Sequence, residues 1–205
     1  MQNQSVKPVR QYRRILVLRL TMAFMIPLIL FSRSAWMDPE WVFDIFEVIG
    51  IFAIIAGVLG RFWAVLYIGG RKNNMVMQDG PYSVCRHPLY LFSTIATVGF
   101  GLMLGSLIIT AILGGVIFMI LSITASKEER FLRAEFGTQY DEYAARVPRI
   151  LPKPSLFTTE PRVEFNVTSL RVNLADALVF LSLIPLAELS ESLKEAAFWP
   201  TFPLF

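Results

Sequence analysis

The chain has a single cysteine, Cys85, and a single histidine, His87, in 205 residues. One cysteine excludes an internal disulfide, so no covalent staple holds the fold. There is no cysteine–histidine cluster of the kind that supplies the four ligands of a structural zinc site, and no metal is expected. Charge is scarce as well: 17% of residues are Asp, Glu, Lys or Arg, against about 25% in soluble domains. From Leu89 to Ala125 there is none. No internal repeat or low-complexity segment breaks the chain. No basic stripe with interleaved aromatics gives nucleic acid a footprint, so no nucleic-acid partner is expected.

What is abundant is apolar. Hydrophobic residues make up 55% of the chain and the mean hydropathy is +0.54, which points to lipid as the solvent. A spanning helix needs about 20 mostly apolar residues. Ile15 to Phe31 is the first candidate, with Arg19 able to snorkel and Pro27 expected to kink it. No small-residue cleavage site follows, so this span reads as retained rather than as a signal peptide. Val42 to Ile68 is the second candidate, with Asp44 and Glu47 near one end and Arg61 well inside. The charge-free Leu89–Ala125 is too long for one span and suits a helical hairpin, the third and fourth. Gly99, Gly101, Gly105 and Ser106 mark its expected turn. Val172 to Ala187, with Asp176 and Pro185, is a short fifth candidate; a re-entrant or interfacial segment is the alternative. The fold class is thus an all-α integral membrane protein of about five transmembrane helices, a single domain over residues 1–205.

Lys and Arg collect on one side of this topology. The first 14 residues carry four cations and no acid, and 126–171 carry eight. Arg71, Lys72 and Arg86 lie in the loop between the second and third spans. Glu188, Glu191 and Glu195 gather on the other side. The positive-inside rule then puts the N-terminus and both polar loops in the cytoplasm, and the protein in the plasma (inner) membrane if the chain is bacterial.

The hairpin brings two polar segments together at the cytoplasmic face. One is GPYSVCRHPLY, residues 80–90. Pro88 suits the first turn of a helix, whose free N–H groups form an anion site. Arg86 adds a fixed charge for a carboxylate or phosphate. Tyr82, His87 and Tyr90 add flat faces, although aromatics and Arg also populate any membrane boundary. The other segment begins SKEERFLRAEF. Glu128, Glu129, Leu132, Phe136, Tyr140 and Tyr143 recur at helical spacing. An amphipathic surface helix, with Glu129–Arg133 as a solvated pair, is the plain explanation. Together the segments offer an anion site, a carboxylate pair and flat apolar surfaces. S-adenosyl-L-methionine, an amino acid carrying an adenosine, needs that set.

GPYSVCRHPLY, then a charge-free hairpin, then EERFLRAEFGTQYDEYAARVPRILP resembles the isoprenylcysteine carboxyl methyltransferase family. The signature is shared with related phospholipid N-methyltransferases and covers about Asp79 to Pro152. The resemblance implies a membrane enzyme with S-adenosyl-L-methionine as cofactor and a lipophilic substrate entering from the bilayer. Carried over to this chain, it implies that Gly80, Tyr82, Arg86, His87 and Tyr90 line the cofactor pocket, with Pro81 and Pro88 shaping it. His87 would meet the nucleoside rather than act as a base. Glu128 or Glu129 would hold the α-amino group, and Tyr140 and Tyr143 would close the pocket. Arg146 and Arg149 would stand near the reacting centre as catalytic residues. The extension 153–205 departs from the family pattern.

A carboxylate acceptor needs no base but must be held by cations, which the Arg-rich loops offer. An amine acceptor, as in phospholipid N-methylation, must lose a proton. Two further classes stand beside these. Sterol reductases share a related hairpin and would use NADPH, which the paired glutamates disfavour. A membrane scaffold without activity leaves the clustered polar residues unexplained. The sequence sets neither the acceptor nor the oligomeric state.

Overall fold

The computed structural model describes residues 12–36, 39–69, 75–196 and 200–205. The cations Lys7 and Arg10 and the loop residues Arg71 and Lys72, used above for orientation, lie outside these. Seven helices run through the described chain: α1 Tyr12–Phe31, α2 Trp41–Ile68, α3 Pro81–Val84, α4 Pro88–Met103, α5 Leu107–Phe136, α6 Thr138–Arg146 and α7 Val167–Glu195. Two three-residue strands, β1 Ser32–Ser34 and β2 Phe202–Leu204, pair in parallel and tie the tail to the segment after α1. No apolar alternation announces strands this short.

Among the described residues, three helices are long and apolar enough to cross a membrane: α2, α5 and α7 over Val167–Lys194. α4 is a shorter apolar helix, and α1 covers the first sequence candidate over 20 residues. The fifth candidate is longer than expected. Asn166 Oδ1 accepts from Ser169 N at 2.9 Å, so the helix starts in polar sequence upstream of the apolar run. The hairpin turn is also tighter than expected. Only Leu104, Gly105 and Ser106 separate α4 from α5, with Gly105 at φ +63° and Ser106 capping α5 through Ile109 N. Gly99 and Gly101 lie inside α4 and make no turn.

Their role, like that of the α2 glycines, is close packing. Lipid tails are as apolar as leucine, so burial alone drives no helix together in a bilayer, and packing contacts decide. α4 lies against α2 on one side and α5 on the other. A Cβ at Gly99 would sit 2.7 Å from Gly50 O, and one at Gly57 would sit 2.6 Å from Ala96 Cβ. Within the bundle Arg61 donates to Ser93 of α4, lies 3.7 Å from Asp176 of α7 and covers the Phe180 ring. This pairing fixes α7 beside α2.

α5 has 30 residues, or about 45 Å of helix, while the hydrocarbon core is about 30 Å thick. Its length exceeds that thickness by about three turns. Its last turns carry Glu128 and Glu129 on the same rigid rod that spans the bilayer, and Gly137 (φ +52°) separates α5 from α6.

Gly57→Val should overpack the α2–α4 contact by roughly 1–3 kcal/mol. A lower thermal midpoint in detergent is expected, while Leu59→Val, at a position 63% exposed on α2, should leave the midpoint within about 0.5 kcal/mol. A Gly57→Val midpoint equal to the parent would show that the glycine contact does not set the interface.

Candidate active site

The two polar segments are sewn together through their backbones. Arg86 N donates to Pro148 O at 2.9 Å, His87 N to Arg149 O at 3.2 Å and Lys153 N to Val84 O at 2.9 Å. Tyr143 Oη donates to Tyr82 O at 2.8 Å, and the Cys85 thiol donates to Ile150 O at 3.1 Å. The segment after Pro152 bonds back as well: Gly80 N donates to Thr158 O at 2.8 Å, and Thr158 N donates to Ser83 Oγ at 3.0 Å. These bonds change one expectation. The Arg86 and His87 amides at the entrance to α4 are consumed by Pro148 and Arg149, so they form no anion site.

One carboxylate organises the side chains. Glu129 Oε1 lies 3.1 Å from His87 Nε2, 3.2 Å from an Arg86 terminal nitrogen and 3.3 Å from Arg149 Nε. Arg149 also donates to Ser122 O at 3.0 Å and to Ser126 Oγ. The solvated Glu129–Arg133 pair expected from spacing does not form: Arg133 instead meets Asp141 at 2.7 Å. Glu129 faces inward, its side chain 11% exposed, because segments from three directions converge on that face of α5.

Glu128, one residue away, faces a cleft. Tyr82, Arg86, His87, Tyr90, Tyr140 and Tyr143 share its wall. Ile68, Met75, Val76, Met77, Pro88, Leu89 and Leu132 complete it. The sequence reading missed Met75, Val76 and Met77, because an irregular loop has no periodicity to read. His87 stacks on Tyr90 with ring centroids 5.4 Å apart. Its Nε2 faces Glu129, and its Nδ1 lies 3.9 Å from Glu128 Oε2. Both ring nitrogens thus look toward α5. Tyr82 Oη, Arg86 Nε and Tyr140 Oη are buried with no hydrogen-bond partner among the described residues. Burial pushes the Tyr82, Tyr140 and Tyr143 hydroxyls above their ordinary range, so all three stay protonated donors.

The remaining candidates stand outside the cleft wall. Gly80 (φ +57°) stands at the entrance to α3, and a Cβ there would fall 2.3 Å from the Tyr67 ring. Arg146 is exposed and donates to Gln78 Oε1 at 2.7 Å, steadying the loop that carries Met75–Met77. Arg149 sits behind Glu129, its side chain 36% exposed.

A donor set of this kind fits S-adenosyl-L-methionine. Glu128 suits an ammonium group, and the orphaned Tyr82, Arg86 and Tyr140 atoms suit a carboxylate and ribose hydroxyls. Ile68, Met77 and Leu89 suit a flat apolar base.

Residues 41–139 match the phospholipid methyltransferase family. The chain is 37% identical to the cobalt-zinc-cadmium resistance protein CzcN of Cupriavidus metallidurans, over 85% of this chain and 80% of that protein. It is 32% identical to the nickel-cobalt-cadmium resistance protein NccN of Alcaligenes xylosoxydans xylosoxydans, over 93% of this chain and 89% of that protein. A shorter match, 31% identical over 40% of this chain and 34% of the relative, is to the protein-S-isoprenylcysteine O-methyltransferase of Schizosaccharomyces pombe. No solved structure matches.

Two outcomes are expected from this geometry. Glu129→Gln removes the shared counter-charge of Arg86 and Arg149 and changes the acceptor facing His87, and breaking a buried pair costs roughly 3–5 kcal/mol. The thermal midpoint should fall by several degrees, while a neutral result would show the cluster to be inert. Burial also pushes the Cys85 thiol from 9.0 up to about 11. The folded state therefore keeps a proton that the unfolded state loses between those values. Stability should decline as pH rises through that window, with no Cys85 contribution lost below it. Iodoacetamide should leave native Cys85 unlabelled at pH 8. Rapid labelling there would contradict its burial.

Proposed function

The chain belongs to the phospholipid methyltransferase family, with relatives among the isoprenylcysteine O-methyltransferases, and we propose that it methylates a carboxylate on a lipophilic acceptor using S-adenosyl-L-methionine. The observation that carries this is the convergence of Glu128, Arg86 and the buried, unpartnered Tyr82 and Tyr140 hydroxyls on one cleft. In the proposed orientation, which puts Lys- and Arg-rich loops inside, that cleft and the N-terminus are cytoplasmic.

S-adenosyl-L-methionine, when bound, supplies a methyl group already activated on sulfonium. The chain's own task is then to hold and align. Glu128 takes the α-amino group. Arg86, fixed by Glu129, offers its Nε to the α-carboxylate, and Tyr82 and Tyr140 donate to the remaining polar atoms. His87, pinned toward α5, orients Glu128 and takes no proton from the acceptor. With a carboxylate as acceptor the transfer would ask this chain for no base, so its residues would need only to hold and align the two partners. Arg149, behind Glu129 and outside the cleft wall, would hold that carboxylate by leaving its contacts with Ser122 and Ser126. Alignment of this sort can supply roughly 7–11 kcal/mol of the barrier. Arg146 steadies the loop over the cleft. The substrate's hydrocarbon portion reaches the site from the bilayer, in which α2, α4 and α5 stand.

The long matches to two metal-resistance proteins favour a physiological setting. We infer that this methyl transfer serves a cell under load from divalent metals such as cobalt or cadmium.

Calorimetric titration of the detergent-purified protein with S-adenosylhomocysteine and with NADPH tests the cofactor. Saturable binding of the former alone is expected. Glu128→Gln removes a charged hydrogen bond worth about 1.5–3 kcal/mol, a loss of roughly 10–100-fold in affinity. NADPH binding, or a Glu128→Gln variant that binds S-adenosylhomocysteine as the parent does, would overturn the assignment.

A further inference from the structure

A second cavity, of about 600 Å³, lies on the far side of the segment that walls the cleft. Trp63 of α2, Leu91, Phe92 and Ile95 of α4, Cys85, and Phe157 beyond Pro152 surround it, and its lining is apolar throughout. It has the size of a site for one elongated small ligand. The two cavities share no lining residue. Tyr82, Arg86 and His87 face the cleft, while Pro81, Val84 and Cys85 face the second cavity. The partition is closed by the bonds from Arg86, His87 and Cys85 to residues 148–150. A tail lodged here belongs to a molecule whose reactive group cannot reach the methyl across that partition.

We propose that this cavity holds one acyl chain of a glycerophospholipid of the surrounding bilayer, at a site separate from cofactor and acceptor. Its surroundings identify the occupant. Trp63 continues a stripe of exposed apolar residues on α2, Phe52 (68% exposed) and Leu59 (63% exposed), spaced to share one helix face. That face meets lipid along the span, so the cavity is continuous with hydrocarbon. Of its lining Phe157 is 48% exposed, and Leu151, next in sequence to the lining Pro152, is 80% exposed, apolar residues that suit the membrane interface and not water. Lys153 is exposed between two rim prolines, with no acid from 148 to 159, which matches a lipid phosphate. A bound chain fills a void that would otherwise forfeit packing contacts along the back of the cofactor wall.

Photolabelling tests this. The full chain is placed in nanodiscs of phosphatidylglycerol containing a small fraction of phosphatidylglycerol with a diazirine near one acyl terminus. After irradiation, adducts are mapped by peptide mass spectrometry. Adducts at Trp63, Phe92 and Phe157 are expected to exceed those at Phe52 and Leu59 several-fold. Ile95→Trp, which fills the cavity, should bring the excess down to the level of the stripe. Phe157→Ala, at the half-exposed rim, keeps the packed wall and should raise labelling of Trp63, so the proposal stays testable if Ile95→Trp does not fold. Even labelling along α2 that neither variant changes would overturn the proposal, reducing the cavity to ordinary lipid contact. Loss of the excess on adding a prenylated cysteine with a free carboxylate would overturn it too, assigning the cavity to the acceptor's tail. Neither result bears on cofactor binding, which the calorimetry reads separately.

Discussion

The contact of Glu129 with His87, Arg86 and Arg149 is the constraint on which the site depends. These four residues come from the last turns of α5, the entrance of α4 and the segment after α6. A carboxylate with an 11% exposed side chain is costly to desolvate alone, and cations buried beside it are costly without it. Each side therefore requires the other. The backbone bonds from Arg86 and His87 to Pro148 and Arg149 hold the same convergence by a second means. Glu128 is left on the next face of the helix, looking into the cleft.

That arrangement relies on how the bundle is built in lipid. Close contacts at Gly50, Gly57 and Gly99 set α2 and α4 at a fixed separation. The hairpin turn at Gly105 sets α5 against α4. Because α5 is one rigid helix from Leu107 to Phe136, packing inside the membrane determines where its carboxylates stand. Chemistry at the surface is thus referenced to glycine contacts deep in the bundle, and strain introduced there is transmitted along the rod.

Much of this was legible in the sequence, for identifiable reasons. The apolar run of α2 and the charge-free hairpin show themselves through composition over lengths a bilayer dictates. GPYSVCRHPLY and the glutamate–tyrosine periodicity were legible as a pair because a hairpin must return to its starting side. Other features were not. Gly99 and Gly101 read as turn residues, since permissive backbone and small volume are the same letter. The first turns of α7 read as loop because polar sequence hides a capped helix start. Met75–Met77 carry no pattern, and their place over the cleft comes from a loop held by Gln78 and Arg146.

The sequence alone determined that lipid is this chain's solvent, that two polar motifs meet at one face, and that their residue types suit a zwitterionic nucleoside. Apolar length, charge bias and residue chemistry are local properties, and they survive any rearrangement of the chain. Only the tertiary structure turned Glu129 onto Arg86 and Arg149 and Glu128 toward the cleft, set Arg146 against Gln78, engaged the Arg86 and His87 amides with Pro148 and Arg149, and divided an apolar cavity from the cleft. Neighbours on a helix point about 100° apart, so which one meets cations and which meets a cleft depends on what packs against each face. That is information held between segments and not within any of them.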